Sequence, residues 1–404
     1  MRKDAKCPRV WPSVPLKDIV LDAQPGFASG RREATGIIQV RMNNVSTDGN
    51  LNLNSFLRVP ASEAMPKKYQ LVPGDVLFNS TNSPKLVGKS AVFAGHEEPV
   101  VFSNHFLRIR VNQSRLDPGY LTRWLTEQWK HRVFEGLCTQ WVNQASVRKE
   151  DLLSLKIPLP PLPEQRHIAA ILDKADAIRR KRQQALRLTE DFLRSAFLDL
   201  FGDPVTNPKG WRGQSLDFVC EKISDGTHHS PPIQTFGVPY ITAKHLKPYG
   251  LDFHAHPWFV SEKNHLEIFS RCDPRPGDVL YIKDGVTTGL AAINHYNFEF
   301  SMLSSLALLR PRPKLCTPQF LCEFLNNPSV KSRMLSHMSG AAIRRLTLAK
   351  IKKQEILLPP LNIQNQFSEI HSSLGKIKKQ LNCSFEETNK LFHSLVQRAF
   401  RAEL

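Results

Sequence analysis

The chain has 404 residues, with 55 Lys or Arg against 37 Asp or Glu, a formal net charge of +18 at pH 7. A hydrophobic fraction of 41% is enough for more than one core, and the positive excess points to a polyanionic partner, nucleic acid ahead of an anionic membrane surface. No stretch is apolar for the length of a transmembrane helix, the first twenty residues lack a signal-peptide core, and seven scattered cysteines form no C-x-x-C. A membrane protein, a disulfide scaffold and a zinc ribbon are therefore set aside, and a cytoplasmic protein with reduced thiols is expected.

Read in chain order, the sequence states one plan twice. "WPSVPLKDIV" begins at Trp11 and "WRGQSLDFVC" at Trp211. "PGDVLF" at Pro73 returns as "PGDVLY" at Pro276, and "DPGYLTRWL" at Asp117 as "TPQFLCEFL" at Thr317. "IPLPPLPEQRHIAAIL" at Ile157 is matched by "ILLPPLNIQNQFSEIH" at Ile356, and "LRSAF" at Leu193 by "VQRAF" at Val396. Five landmarks keeping their order at a near-constant offset indicate an internal duplication. Within each copy, short runs of Val, Ile, Leu and Phe broken by Gly, Asn and Pro read as strands and loops. Helical stretches such as "GYLTRWLTEQWKHRVFEG" are interleaved, so an α/β head is expected.

After each proline-rich entrance the pattern changes. Residues Glu164 to Leu200 contain no Pro or Gly, and prolines ahead of the first turn are tolerated because those N–H groups lack intrahelical partners. Steps of three and four join Ile168, Ile171, Ala175, Ile178, Ala185, Phe192 and Ala196 in the first copy, with polar Arg182 and Thr189 filling the gaps. The same spacing, with one step of seven, joins Phe367, Ile370, Leu374, Ile377, Leu381, Thr388, Leu391 and Leu395 in the second. This spacing is the seam of helices packed side by side. The expected fold is mixed α+β: two α/β heads separated by two long helices packed as an antiparallel coiled coil, with a pseudo-twofold repeat. The expected division is 1–156 for the first head, 157–205 for the first helix, 206–355 for the second head and 356–404 for the second helix.

Signatures of catalysis are weak. "SPPI" at Ser230 approaches the D/N/S-P-P-aromatic tetrapeptide of DNA aminomethyltransferases but lacks its aromatic, and no F-x-G-x-G occurs. "SPKLVGKS" at Ser83 ends like a phosphate-binding loop, yet Ser83 stands where the first glycine belongs. A loop entering a strand is the better account. His228 with His229, and His254 with His256, lack a matching Cys or carboxylate cluster, so no metal is expected.

The variable head followed by an "LPPLPEQ"-type entrance into a long helix, all repeated once, resembles the specificity subunit of type I restriction–modification systems. "GVPYITAKHLK" at Gly237 and the paired "PGDVL" segments strengthen the resemblance, while Asn362 and Ile363 depart from the Pro-Glu of the first entrance. The resemblance implies a non-catalytic chain whose two heads are target-recognition domains, each reading half of a split double-stranded DNA site. Its helices serve as a ruler and as a dock for two methyltransferase subunits, with translocase–nuclease subunits joining for cleavage. It also implies no cofactor in this chain: S-adenosylmethionine belongs to the methyltransferase, and ATP and Mg to the translocase. A stand-alone DNA-binding regulator is the alternative, and an enzyme acting on DNA by itself a third.

Base edges are read mainly by Arg and Lys on guanine and by Asn and Gln on adenine. The head loops offer Arg41, Asn43, Asn44, Asn79, Asn82, Lys85, Gln140, Asn143 and Gln144 in the first copy. The second offers Lys244, His245, Lys283, Thr287, Thr288, Arg344 and Arg345. The run "RRKRQQALR" at Arg179 reads as a solvated or partner-facing helix side, with phosphate contact as the other reading.

Overall fold

The structure is a computed structural model and describes residues 11–404 apart from 65, 143 and 337–344. The chain forms two compact units, Met1–Arg180 with Glu387–Leu404, and Lys181–Glu386.

In the first unit, a four-stranded antiparallel sheet runs in the order Val20–Pro25, Phe106–Val111, Val76–Asn79, Ser90–Val92. Beside it lies a three-stranded sheet ordered Leu57–Val59, Ile37–Val40, Val100–Phe102, its last pair parallel. Successive side chains of a strand point to opposite faces, and the strand Val76–Asn79 is buried on both. Val76 and Phe78 join a core with Leu16, Ile109, Tyr120, Leu125 and Phe134. Leu77, between them, joins Ile38, Val40, Ala91 and Phe102 in a second core.

The second unit repeats this order with Cys220–Asp225, Leu306–Pro311, Val279–Ile282 and Ala291–Ile293. The smaller sheet recurs as Phe259–Val260, Val238–Ile241 and Ser301–Met302. Val279 and Tyr281 face one core while Leu280 and Ile282 face another. The mixed α/β repeat is thus present, with these two sheets recurring in the same strand order.

The "PGD" of each strand entrance is a structural device. Gly74 and Gly277 take positive φ, +93° and +91°, a turn conformation that favours glycine. Asp75 is buried, accepts from the Val72 N–H at 2.9 Å, and takes two hydrogen bonds from Arg110 at 2.7 and 2.8 Å. Asp278 does the same with the Arg275 N–H at 2.7 Å and Arg310 at 2.8 and 2.9 Å. Each pair clips the strand start to its neighbour, and the buried carboxylate is fully hydrogen-bonded, as burial demands.

The proline-led entrances open helices Leu162–Phe201 and Leu361–Phe400, 40 residues each. At 1.5 Å per residue each is about 60 Å long. The glutamine common to both entrances is fully buried. Gln165 accepts from the Asp117 N–H at 2.8 Å and donates to the carbonyls of Arg115 and Pro160 at 2.9 and 2.8 Å. Gln364 accepts from the Thr317 N–H at 2.9 Å and donates to Leu315 and Pro359 at 3.0 and 2.8 Å.

In the first unit, Ile168, Ala169 and Leu172 share the head core with Phe392, Val396 and Ala399. In the second, Phe197 and Phe201 pack around Phe320 and Phe367 with ring centroids 4.7–5.8 Å apart. There Arg182 donates to the Ser384 carbonyl at 2.6 Å and Lys378 pairs with Glu190 at 2.9 Å. Along these contacts one helix's numbers rise as the other's fall, so the two segments run in opposite directions within this unit.

The seam needs correction. Ile168 and Phe367 are buried, and Ile171, Ala175, Ile370, Leu374, Leu381 and Leu395 are half-buried. Ile178, Phe192, Ile377 and Leu391 are about half exposed, which places them off the packed stripe. That stripe instead passes through Leu172, Asp176, Phe197, Phe201, Phe392 and Val396. A 3.6-residue turn drifts about 20° per heptad against a strict seven-residue spacing, and the helix ends pack on head residues as well as on each other.

Candidate nucleic-acid interface

In the first unit, the chain leaving Val76–Asn79 forms Thr81–Asn82, which pairs with Ala145–Ser146; that segment pairs in turn with Thr139–Gln140. The turn closing this ribbon is held by the Trp141 N–H to the Gln144 carbonyl at 2.7 Å and the reverse bond at 3.4 Å. Gln140, Trp141, Val142 and Gln144 are exposed on it, with Lys85 and Leu86 on the neighbouring loop. In the second unit the corresponding loop carries Gly285, Val286 and Thr287 to the surface. Its Asp284 forms a backbone bridge with Arg345. A cleft of about 510 Å³ is lined there by Asp225, His228, Lys283, Asp284, Ser305 and Arg345.

The candidate base readers divide by burial. Asn43, Lys85, Gln140, Gln144, Lys244, Thr287 and Arg345 are exposed, and Arg41 and Asn82 partly so. Asn143 and Arg344 lie outside the described residues. Five others are buried and committed to the fold, which corrects the expectation that they face DNA.

Asn44 accepts from the Arg41 N–H at 2.9 Å and donates to Asn52 and Ser55 carbonyls at 2.9 and 2.7 Å. His245 holds the same place in the second copy, accepting from the Thr242 N–H at 2.9 Å and contacting the His256 carbonyl at 2.8 Å. Burial pushes its pKa down, so the neutral ring is the form that bridges these groups. Asn79 donates to the carbonyls of Thr81 and His105 at 3.1 and 3.0 Å. Lys283 sits between Asp225 at 3.4 Å and Asp284 at 3.2 Å. Thr288 donates to the Gly285 carbonyl at 2.6 Å. Turn-forming polar side chains and base-reading side chains are the same residue types, which is why type alone did not separate them.

The phosphate-loop echo resolves the same way. Lys89 is buried, its ammonium donating to the carbonyls of Val45 at 2.5 Å and Met42 at 3.1 Å, and burial lowers its pKa. Part of the basic helical run is also paired: Arg179 lies 3.0 Å from Asp48 and 2.8 Å from Asp176, and Arg180 3.3 Å from Asp176. Of the histidines, His228 contacts Asp225 at 3.3 Å. Among the described residues no group of three or more His, Cys, Asp or Glu is arranged to hold a metal, and no helix is long and apolar enough to cross a membrane. Trp141, Val142 and Val286 lie in the same loop stretches, "QWVNQ" and "KDGVTT", but polar type does not mark them, and only the folded loops reveal their exposure.

Two units, each a sheet-based head with long-helix segments and a loop set left exposed, define a repeated recognition module. The family model for the type I restriction modification DNA specificity domain matches residues 41–188 and 208–386. The chain belongs to this family. It is 24% identical over 412 residues to a Methanocaldococcus jannaschii protein named as the MjaX type I restriction enzyme specificity subunit, covering 96% of this chain and 93% of that one. It is 22% identical over 436 residues to the EcoKI specificity subunit of Escherichia coli K12, covering 99% and 90%. In fold it is similar to a type I restriction–modification S subunit from M. genitalium, with a TM-score of 0.64 at 14% identity, covering 99% and 98% of the two chains.

Proposed function

We propose that this chain chooses where a type I restriction–modification complex acts, by reading a two-part DNA site through two different heads. The observation carrying this reading is the repeat itself: the same sheets and the same glutamine-locked entrance occur twice, while the exposed loops differ. Two unlike readers on one chain suit two unlike half-sites with a gap between them. The +18 charge supplies sequence-independent affinity for phosphate, and exposed loop residues such as Lys85, Gln140, Gln144, Lys244 and Arg345 add base or phosphate contacts.

On this reading residues 1–156 and 206–355 are the target-recognition domains. The helices of 157–205 and 356–404 form an antiparallel coiled-coil spacer and dock two methyltransferase subunits. Translocase–nuclease subunits join for restriction. The chain performs no chemistry and holds no cofactor; S-adenosylmethionine resides in the methyltransferase, ATP and Mg in the translocase. It works in the cytoplasm, where the DNA is.

The test is co-production of the chain with a methyltransferase subunit, followed by mapping of methylated bases in the host DNA. A two-part motif with a fixed gap, absent when either chain is omitted, is the expected result. Methyl transfer by the chain alone, or a continuous motif, would overturn the proposal.

A further inference from the structure

The first unit presents an apolar tip on an otherwise polar ribbon. Val142 is 98% exposed and Trp141 60%. Gln140 and Gln144 flank them, also exposed, and the pairing of Thr81–Asn82, Ala145–Ser146 and Thr139–Gln140 anchors the ribbon to the head. Val142 gains almost nothing from the fold of its own unit, and Trp141 is covered only in part. Two adjacent apolar side chains on a ribbon tip suit burial against a partner, and the chain's +18 charge favours DNA as that partner.

The groove chemistry narrows the contact. The major groove, about 12 Å wide, admits a two-stranded ribbon on undeformed DNA, whereas strands enter the minor groove, about 6 Å wide, by bending the duplex. Base edges in the major groove present ring nitrogens, carbonyl oxygens and amino groups, and a single apolar group, the 5-methyl of thymine. We infer that Val142, with Trp141 beside it, packs on a thymine methyl in the half-site read by the first head. Gln140 and Gln144 fit the same base pair or its neighbour, because a glutamine amide pairs with the N6 and N7 of adenine. This inference rests on the DNA-specificity reading and adds to it an A·T requirement and a residue that imposes it.

The experiment uses the full chain co-produced with its methyltransferase subunit and duplexes carrying the selected site. Each thymine of the first head's half-site is replaced in turn by uracil, which removes the methyl and nothing else. Wild type should bind about fourfold more weakly at one position, the worth of one buried methyl. Val142→Ser should lose that difference while binding the uracil duplex as wild type does. Trp141→Ala should shrink it at the same position. Wild type indifferent to every replacement overturns the inference, as does a V142S variant that keeps the wild-type ratio. So does a V142S variant that no longer binds either duplex, since one methyl cannot carry that much. Failure of wild type to select any two-part site overturns the DNA-specificity reading instead, which keeps the two outcomes apart.

Discussion

Gln165 accepts a hydrogen bond from the backbone N–H of Asp117 at 2.8 Å while its amide donates to two carbonyls. One buried side chain thereby ties the start of the long helix to the loop that opens helix Pro118–Lys130. Gln165→Ala leaves one donor and two acceptors unsatisfied, each group costing about 1–3 kcal/mol when buried. A loss of roughly 3 kcal/mol in urea unfolding of the full chain is expected, with Gln364→Ala close to it. A loss below about 1 kcal/mol for both would refute this role.

Gly88, the glycine of the phosphate-loop echo, is dictated by packing. Its φ is +92°, and a Cβ there would stand 2.3 Å from the buried Phe134 ring. Gly88→Ala should destabilise the protein by about 2–3 kcal/mol through strain and overpacking, lowering Tm by several degrees. Nucleotide addition should not raise the Tm of wild type.

Asp273 gives the second unit an acid-sensitive joint. Burial raises its pKa, but the Lys222 hydrogen bond at 2.6 Å and the Arg310 charge outweigh this and hold it at about 2. The folded pKa lies below the unfolded value near 4, so the stabilisation is complete above about pH 4 and is lost as pH falls through about 2. Wild type should lose stability between pH 5 and pH 2.5 more steeply than Asp273→Asn. Parallel Tm-versus-pH curves for the two would refute the assignment.

The heads are predicted to be separable in specificity. Replacing residues 11–150 by the head of another family member should change one half-site of the methylated motif and leave the other intact. Sequencing methylated host DNA reads this directly, and a change in both halves would contradict independent reading.

Much of this architecture was legible in the sequence because duplication prints its landmarks twice. "PGDVL" marks a turn, a buried aspartate clip and a strand buried on both faces; the turn is local, while the clip is completed by Arg110 or Arg310 from a neighbouring strand. The entrance prolines act within a few residues of themselves, whereas Gln165 also reaches back to Arg115 and Asp117 in the head. The departure of Asn362 and Ile363 mattered little, since Gln364 keeps all three hydrogen bonds.

Other features were decided only by tertiary structure. Ile178 and Phe192 lie on the expected seam, yet Leu172 and Phe197 are buried instead, because small angular drift accumulates along a long helix and the heads claim part of its surface. Asn44, Asn79, His245, Lys283 and Thr288 look like base readers by type but bond to the fold, while Gln140 and Gln144 stay exposed on the surface ribbon. Local chemistry, set by neighbours in the chain, is written in the sequence. Which polar group finds an internal partner and which is left facing water depends on segments dozens of residues away, and only the packed fold brings these together.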